Sequence, residues 1–177
     1  MIDNDAFVAR GEKISLRPMT AEDTQNIVKW RNNERVRNNF RYREVFTGKT
    51  HEKWIKEQIE PGHVVQLIIC DNQKDNSPVG SVYFRDIDRS KNTAEYGIFI
   101  GEDDAIGKGY GNETALLACK YAKDVMGLES LILRVFTTNR AAIKSYENAG
   151  FVKKADIPAA ECSDGQKSDM ILMEKRL

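Results

Sequence analysis

The chain has 177 residues, 41% of them hydrophobic and 31% charged, with 27 Lys and Arg against 27 Asp and Glu. This balance is typical of one globular domain and excludes disordered and collagen-like chains. Zero net charge argues against a general nucleic-acid binder. No apolar run approaches the ~18–20 residues of a membrane span, and the polar start is unlike a signal peptide. We therefore expect one cytoplasmic domain over residues 1–177, with its core at about 13–176.

Cysteine and histidine are too few and too scattered for a disulfide framework or a metal site. Cys70, Cys119 and Cys162 are far apart and form no CxxC pair, so the sequence indicates neither a zinc site nor a disulfide-rich secreted protein. The chain has two histidines, His51 and His63. We expect no metal, and we expect Cys119, in the middle of a predicted helix, to be a buried core residue.

The first part of the chain predicts a strand, two helices and three antiparallel strands. Apolar and polar residues alternate up to Pro18, which ends a strand. Thr20 and Asp23 have the spacing of a capping box at the start of a helix. Residues 64–69 are almost continuously apolar, which indicates a strand buried on both faces. In chain order we expect a strand at 13–18, helices from residue 20 and at 49–59, an irregular basic segment at 32–48 between them, and strands at 63–71, 79–87 and 93–101.

The second part of the chain alternates helices and strands. A glycine-rich stretch opens a helix whose core face includes Ala118 and Ala122, and Gly127 ends this helix. The order βααβββαβαββ predicts an α/β fold of the α+β type, with a mixed, mostly antiparallel central sheet and helices on both faces. The elements of this part are a glycine-rich stretch at 106–111, a helix to about residue 126, a strand at 130–136, a helix at 139–148 and strands at 150–154 and 168–176.

The sharpest local signal is a glycine triplet between a strand and a helix. Gly107, Gly109 and Gly111 let the backbone approach a ligand without obstruction by a β-carbon. The following helix adds free N–H donors and partial positive charge, which together form a cradle for phosphate oxygens. The P-loop motif G-x-x-x-x-G-K-[ST] is absent. The preceding strands are linked as hairpins, which excludes a dinucleotide-binding βαβ unit.

Two motifs then resemble the GNAT superfamily of acyl-CoA-dependent N-acetyltransferases. Residues 104–109 align with the family's pyrophosphate loop [Q/R]-x-x-G-x-[G/A], with Asp104 in place of the usual Gln or Arg. Residues 139–151 resemble N-x-x-[A/S]-x-x-x-Y-x-x-x-G-F. Residues 95–101 resemble the family's fourth strand, which pairs with the pantetheine arm. The resemblance covers about residues 14–175 and implies the GNAT-like fold.

This resemblance implies acetyl-CoA as co-substrate and direct transfer of its acetyl group to a neutral primary amine. Backbone N–H groups of a bulge near Phe99 and Ile100 are expected to polarise the thioester carbonyl. Tyr146 is expected to give a proton to the departing thiolate. The expected cofactor-binding residues are Phe99, Ile100, Gly101, Ile106, Gly107, Lys108, Gly109, Tyr110, Gly111, Asn112, Asn139 and Tyr146.

The amine must lose a proton before it attacks, so a general base is expected, acting through water. Glu95 at the start of the fourth strand is the first candidate, although a carboxylate there is also typical of a solvated strand end. His51 has the better ordinary pKa, but it also fits a surface position near a helix N-terminus or a substrate contact. Asn139 fits either a pantetheine contact or a helix cap alone.

The acceptor is expected to be bound by the N-terminal third, where Lys and Arg outnumber Glu between residues 29 and 56. The pattern W-R-N-N with a later H-x-x-W resembles the subgroup of ribosomal-protein N-terminal-alanine and nucleotide-linked amino-sugar N-acetyltransferases. The basic residues suit a nucleotide diphosphate or an acidic peptide, and a solvated helix face stays open. The expected substrate-binding residues are Arg31, Arg37, His51 and Trp54.

Three function classes therefore stay open at this point. The first is an N-acetyltransferase acting on a small-molecule amine, with a nucleotide-linked amino sugar preferred, or on a protein N-terminus. The second is a non-catalytic acyl-CoA-binding module. The third, an RNA- or ribosome-binding protein, is disfavoured by zero net charge and the lack of stacking aromatic motifs. We expect no nucleic-acid or membrane partner, and a homodimer stays open.

Overall fold

A computed structural model describes residues 6–177 of the protein. The first elements are the strands β1 (Ala9–Arg10) and β2 (Ile14–Pro18) and the helices α1 (Thr24–Asn32), α2 (Glu34–Arg37) and α3 (Gly48–Trp54). The strands β3 (Val65–Asp71), β4 (Ser77–Asp88) and β5 (Thr93–Ile100) follow. The chain ends with α4 (Tyr110–Asp124), β6 (Ser130–Phe136), α5 (Arg140–Asn148), β7 (Val152–Glu161) and β8 (Lys167–Arg176).

The strands form one eight-stranded sheet in the order β1-β2-β3-β4-β5-β6-β8-β7. Neighbouring strands are antiparallel except for β5 and β6, which are parallel. The expectation of a mixed, mostly antiparallel sheet is therefore confirmed. Among residues 6–177 no helix has the length and apolar character needed to cross a membrane.

Helices cover both faces of the sheet, as expected. The larger core lies on one face, where the small residues Ala115, Ala118 and Ala122 bring α4 close to the strands. The second core lies on the other face, where Ile27 and Trp30 of α1 pack with residues of α2, β3 and β5. Alternation along β5 sends Tyr96 to the α4 face and Phe99 to the α1 face.

A wedge-shaped gap opens between β5 and β6, and it positions the candidate site. The two strands pair at Thr93, Ala94 and Glu95 of β5 only, opposite residues 130–132 of β6. Beyond Glu95, β5 stays paired to β4 and β6 stays paired to β8. The β5 backbone groups that face away from β4 therefore have no ladder partner there. Such groups are available to an extended ligand that enters between the strands.

Three sequence expectations about the fold need correction. The strand expected at 150–154 runs over Val152–Glu161, because pairing to β8 carries this exposed edge strand through a polar segment. The segment expected to be irregular contains α2, whose first turn is capped by the Asn33 side chain. The bulge expected near Phe99 and Ile100 is wrong, since both residues pair regularly with β4, and the register shift lies between Arg85 and Asp88.

Candidate active site

The glycine-rich loop forms an open cradle before α4. Gly107 and Gly109 have φ values of +77° and +81°, a left-handed conformation that glycine adopts without strain. A β-carbon at residue 107 would meet no atom within 4 Å, and one at residue 109 would meet only Lys13 Nζ, at 3.6 Å. Within the described chain, the backbone N–H groups of residues 107–112 have no backbone acceptor. The loop therefore presents free donors and open space, which suits phosphate oxygens.

The side chains of the loop and of the start of α4 differ in their burial. Tyr110 is 2% exposed, and burial together with Asp71 raises the pKa of its phenol to about 12. Lys108 Nζ lies 5.7 Å from the centre of the Tyr110 ring. Ile106 is exposed, and the Asn112 Oδ1 atom is buried without a partner in the described chain. The expected roles of Tyr110 and Gly111 in cofactor binding thus rest on their backbone.

Tyr146 of α5 lies beside the wedge with a free hydroxyl. Its ring is 8% exposed and stands edge-on to the rings of Tyr96 and Phe151, with centroids 6.1 and 6.0 Å away. Burial raises the pKa of the Tyr146 phenol well above its ordinary value, so this group is a neutral proton donor at neutral pH. Its hydroxyl has no hydrogen-bond partner within residues 6–177. The Asn139 side chain caps α5 by accepting the Ala142 N–H at 3.2 Å.

The Glu95 carboxylate is buried, and arginine side chains bond both of its oxygen atoms. Its Oε1 atom accepts a hydrogen bond from Arg85 Nη2 at 2.8 Å, and its Oε2 atom accepts one from Arg134 Nη1. The side chain is 5% exposed, so the solvated strand end considered from the sequence is wrong. Both carboxylate oxygens are engaged by guanidinium groups. These two ion pairs hold the Glu95 carboxylate between Arg85 and Arg134.

Tyr83, which the sequence did not indicate, lies beside the candidate site residues Arg31, Arg85 and Tyr146. A β-carbon at residue 97 would lie 2.2 Å from Tyr83 Cζ, so the tyrosine ring covers Gly97 of β5. Burial raises the pKa of the Tyr83 phenol, while the positive charges of Arg85 and Arg31 oppose the shift. The isolated glycine in a strand was the available signal, since it marks a close approach of another group.

Within residues 6–177, the guanidinium group of Arg31 in α1 has no acidic partner. The group lies 3.5 Å from the Phe40 ring centre and 5.4 Å from that of Phe46. Its one hydrogen bond in the described chain is a long one of 3.4 Å from Nη2 to the Tyr42 carbonyl. Burial lowers the pKa of Arg31, and the phenol of Tyr83 is among the groups that oppose the shift. Cation–π contact holds the group in place but does not neutralise it.

Most other basic side chains between residues 29 and 56 form ion pairs or hydrogen bonds within the protein. Arg35 bonds Asp103 at 2.7 Å and the Ile100 carbonyl at 3.0 Å. Arg43 pairs with Asp164 at 3.2 Å, and Arg41 donates to the Glu161 carbonyl at 3.0 Å, which docks the segment on the β7–β8 hairpin. In the part of the chain that the structure describes, Arg37 has no side-chain hydrogen bond or ion pair. The basic segment is therefore not a uniform binding patch.

The two other residues expected to bind substrate, His51 and Trp54, are both in α3 and both already have a hydrogen-bond partner. His51 is fully buried, so its expected surface position is wrong. Its Nδ1 atom bonds Thr24 Oγ1 at 2.9 Å, and burial lowers the pKa of the ring. Trp54 donates to Gln66 Oε1 at 3.1 Å and lines an open cleft of about 460 Å³. The cleft is lined by Trp54, Gln58, His63, Val64, Arg85, Asp86 and Ile87.

The end of β5 is packed tightly under α1. The Phe99 ring stands edge-on to the rings of Trp30 and Phe40, with centroids 6.3 and 5.7 Å away. A β-carbon at Gly101 would lie 2.0 Å from the Trp30 indole. The expected cofactor contacts of Phe99 and Ile100 are therefore limited to backbone groups, and Arg35 already occupies the Ile100 carbonyl. The expected contact of Gly101 has no free backbone group, since its N–H donates to the Val79 carbonyl at 2.8 Å and its carbonyl accepts from Arg35 at 3.4 Å.

Among the comparisons with known proteins, a domain model identifies the family. A model described as the acetyltransferase (GNAT) domain matches residues 13–152. An uncharacterized protein of Methanocaldococcus jannaschii is 27% identical over 86% of this chain, and the match spans 31% of that longer protein. An uncharacterized N-acetyltransferase derived from the SPbeta prophage of Bacillus subtilis is 24% identical over 83% of this chain and 80% of that protein.

The same fold occurs in a solved enzyme. Spermidine N-acetyltransferase from Vibrio cholerae, in complex with CoA and spermine, superposes with a TM-score of 0.86 at 21% identity, over 94% of this chain and 96% of that chain. This likeness concerns the fold, whereas the family model covers most of the sequence. The chain therefore belongs to the GNAT acetyltransferases and is an acetyl-CoA-dependent N-acetyltransferase.

Proposed function

We propose that this protein transfers the acetyl group of acetyl-CoA directly to a primary amine in the wedge between β5 and β6. Acetyl-CoA supplies the activated acetyl group. The observation that carries the proposal is the free Tyr146 hydroxyl beside unpaired β5 backbone groups. The open cradle over Gly107 and Gly109 fits a diphosphate, because a β-carbon at either position would stand in the space it needs.

Tyr146 acts in this proposal as the general acid. A tyrosine phenol is protonated at neutral pH, and burial raises the pKa of this one further, so the proton is present when the thiolate departs. It donates that proton to the thiolate sulfur when the thioester carbon–sulfur bond breaks. Unpaired β5 N–H groups beyond Glu95 are placed to stabilise the negative charge on the thioester oxygen.

We assign Glu95 a positioning role in place of the general base, acting through water, that the sequence predicted. Its carboxylate holds Arg85 and Arg134 on the face that α1 covers. Glu95→Gln separates the two roles. A positioning role predicts a higher acceptor KM with the acidic limb of the pH–rate profile retained. A base role predicts loss of that limb with acceptor KM little changed.

We propose that the acceptor carries an anionic group and is a nucleotide-linked amino sugar. A desolvated guanidinium such as that of Arg31 is costly without an anionic partner, and in the described chain it has none. Arg85 pairs with Glu95 and also contacts Asp86 at 3.7 Å, and Arg134 pairs with the same Glu95. Together with Arg31, these are three cations against two carboxylates. A polyamine, which the Vibrio cholerae enzyme binds as spermine, would be repelled here. A protein N-terminal alanine is the second candidate.

An acetyl-CoA consumption assay tests this proposal. The panel pairs glucosamine with glucosamine 6-phosphate and adds a nucleotide-linked amino sugar, spermidine and an alanine-initiated peptide. We expect the phosphorylated amines to react with the highest kcat/KM. Arg31→Ala should raise their KM about tenfold or more, less so at high salt, while Arg41→Ala, which loses only a contact to a carbonyl, should not.

One result would reject the proposed acceptor, and another would reject the proposed acetyl transfer. Equal kcat/KM for spermidine and the phosphorylated amines would reject the anionic acceptor. Binding of CoA without thiol release from acetyl-CoA for any amine would instead support a non-catalytic acyl-CoA-binding module.

A further inference from the structure

Asp104 places a negative charge at the start of the glycine-rich loop. It occupies the first position of the loop motif, where the family pattern has Gln or Arg. A carboxylate at this position would repel the phosphate groups that the proposed function places over the loop. The structure pairs Asp104 with Lys74, which belongs to the turn between β3 and β4. This ion pair and the nearby charge of Lys108 lower the pKa of Asp104, so the carboxylate is charged and its charge is compensated.

Lys13 brings a second ammonium group to the same loop. Its Nζ atom donates to the Lys108 carbonyl at 3.3 Å. It is also the one heavy atom of the described neighbours within 4 Å of the space that a β-carbon at Gly109 would occupy, at 3.6 Å. The ammonium group therefore stands at the rim of the open cradle. One hydrogen bond to a carbonyl leaves it with donors for a ligand.

The turn that carries Lys13 is fixed before any ligand arrives. The Lys13 backbone N–H donates to Glu113 Oε1 at 3.0 Å, which ties the turn to the first turn of α4. Asn72 Nδ2 donates to the Gly11 carbonyl at 3.0 Å. Residue 11 must be glycine for this approach, since a β-carbon there would lie 2.1 Å from Glu113 Oε1. A preorganised cation loses little freedom on binding.

We propose that Lys13 binds a phosphate group of CoA and that Lys74 neutralises Asp104, so that two lysines from separate turns replace the basic or amide side chain of the loop motif. The inference rests on the proposed function, which places the CoA phosphates over this loop. Lysine serves as a compact positive charge for phosphate. The contacts place one lysine at the cradle rim and the other on the carboxylate that would otherwise repel the ligand.

Equilibrium binding of CoA by calorimetry tests the proposal without relying on turnover. Lys13→Met should weaken CoA binding roughly tenfold, as expected for loss of a charge-assisted hydrogen bond. Lys74→Met should weaken it about threefold, and Lys74→Met/Asp104→Asn should restore it, because the exposed carboxylate is then gone. Lys91→Met is the matched control, since Lys91 pairs with Asp88 at 3.3 Å in the turn between β4 and β5. Thermal melts verify that each variant is folded.

Dephospho-CoA identifies which phosphate Lys13 binds. A tenfold loss for both ligands places Lys13 on the diphosphate, and a loss for CoA alone places it on the 3′-phosphate; both results support the proposal. Unchanged CoA affinity in folded Lys13→Met, or a double variant no better than Lys74→Met, would overturn it. Wild-type protein that fails to bind CoA would reject the proposed function itself, which is a separate outcome.

Discussion

The ring of Tyr83 lies over Gly97 so closely that a β-carbon at residue 97 would be 2.2 Å from Tyr83 Cζ. Gly97→Ala must therefore displace this ring, whose phenol is acted on by the charges of Arg85 and Arg31. We expect a loss of stability of about 1–3 kcal/mol from overpacking. We also expect a severalfold rise in acceptor KM with CoA affinity near wild type.

Steady-state kinetics and CoA calorimetry measure the two effects separately. Gly48→Ala is the control, because a β-carbon there meets no atom within 4 Å. An unchanged acceptor KM in Gly97→Ala would show that the Tyr83 ring is no part of the acceptor site.

The cofactor cradle predicts that Gly109→Val abolishes CoA binding. The φ of +81° costs a β-branched residue about 1–2 kcal/mol, and the new side chain fills the space over the loop beside Lys13 Nζ. Gly165→Val carries the same backbone strain at φ +79° in the β7–β8 hairpin, with open space around it. We expect similar melting temperatures for the two variants and loss of CoA affinity in Gly109→Val alone. Equal CoA affinity in both would contradict the cradle.

Buried His51 predicts an acid-sensitive fold. Burial lowers the pKa of the folded-state ring below its ordinary value of 6.5. The unfolded chain therefore takes up a proton at a pH where the folded chain does not. Stability is full above about pH 6.5 and falls as the pH drops toward the lowered pKa, by at most about 1.4 kcal/mol per pH unit for this group.

Urea unfolding between pH 5 and 8 measures this dependence. His51→Gln should flatten the curve relative to wild type, and His63→Gln, at an exposed position, should not. Parallel curves for wild type and His51→Gln would contradict the assignment of the pH dependence to His51.

Local signals predicted the elements that frame the site. The Asn139 cap, the left-handed Gly127 with φ +68° and the strand Ser130–Phe136 all occur where the sequence indicated. Each depends on residues that are neighbours in the chain. The glycine loop was predicted for the same reason, since backbone freedom is a property of residues 107 and 109 themselves.

Side-chain pairings between residues that are distant in the chain could not be predicted from the sequence. In the structure, Arg35 pairs with Asp103 and Arg43 pairs with Asp164, whereas Arg31 has no carboxylate partner among residues 6–177. The sequence of the basic segment does not predict this difference, because both aspartates are distant in the chain. The ion pairs of Glu95 with Arg85 and Arg134 likewise depend on the register of β4, β5 and β6. Cross-strand register and loop docking decide which charges remain free for a ligand.

Comparison of Tyr146→Phe with wild type tests whether the Tyr146 hydroxyl is the general acid of the acetyl transfer. The variant keeps the edge-on packing against Tyr96 and Phe151 and removes only the hydroxyl. With the best amine of the panel, we expect kcat to fall ~10²–10⁴-fold, the range of general acid catalysis, while calorimetry gives an unchanged CoA affinity. Tyr121→Phe, at a ring that stacks on Phe84, should keep wild-type kcat. A Tyr146→Phe enzyme with wild-type kcat would contradict the account.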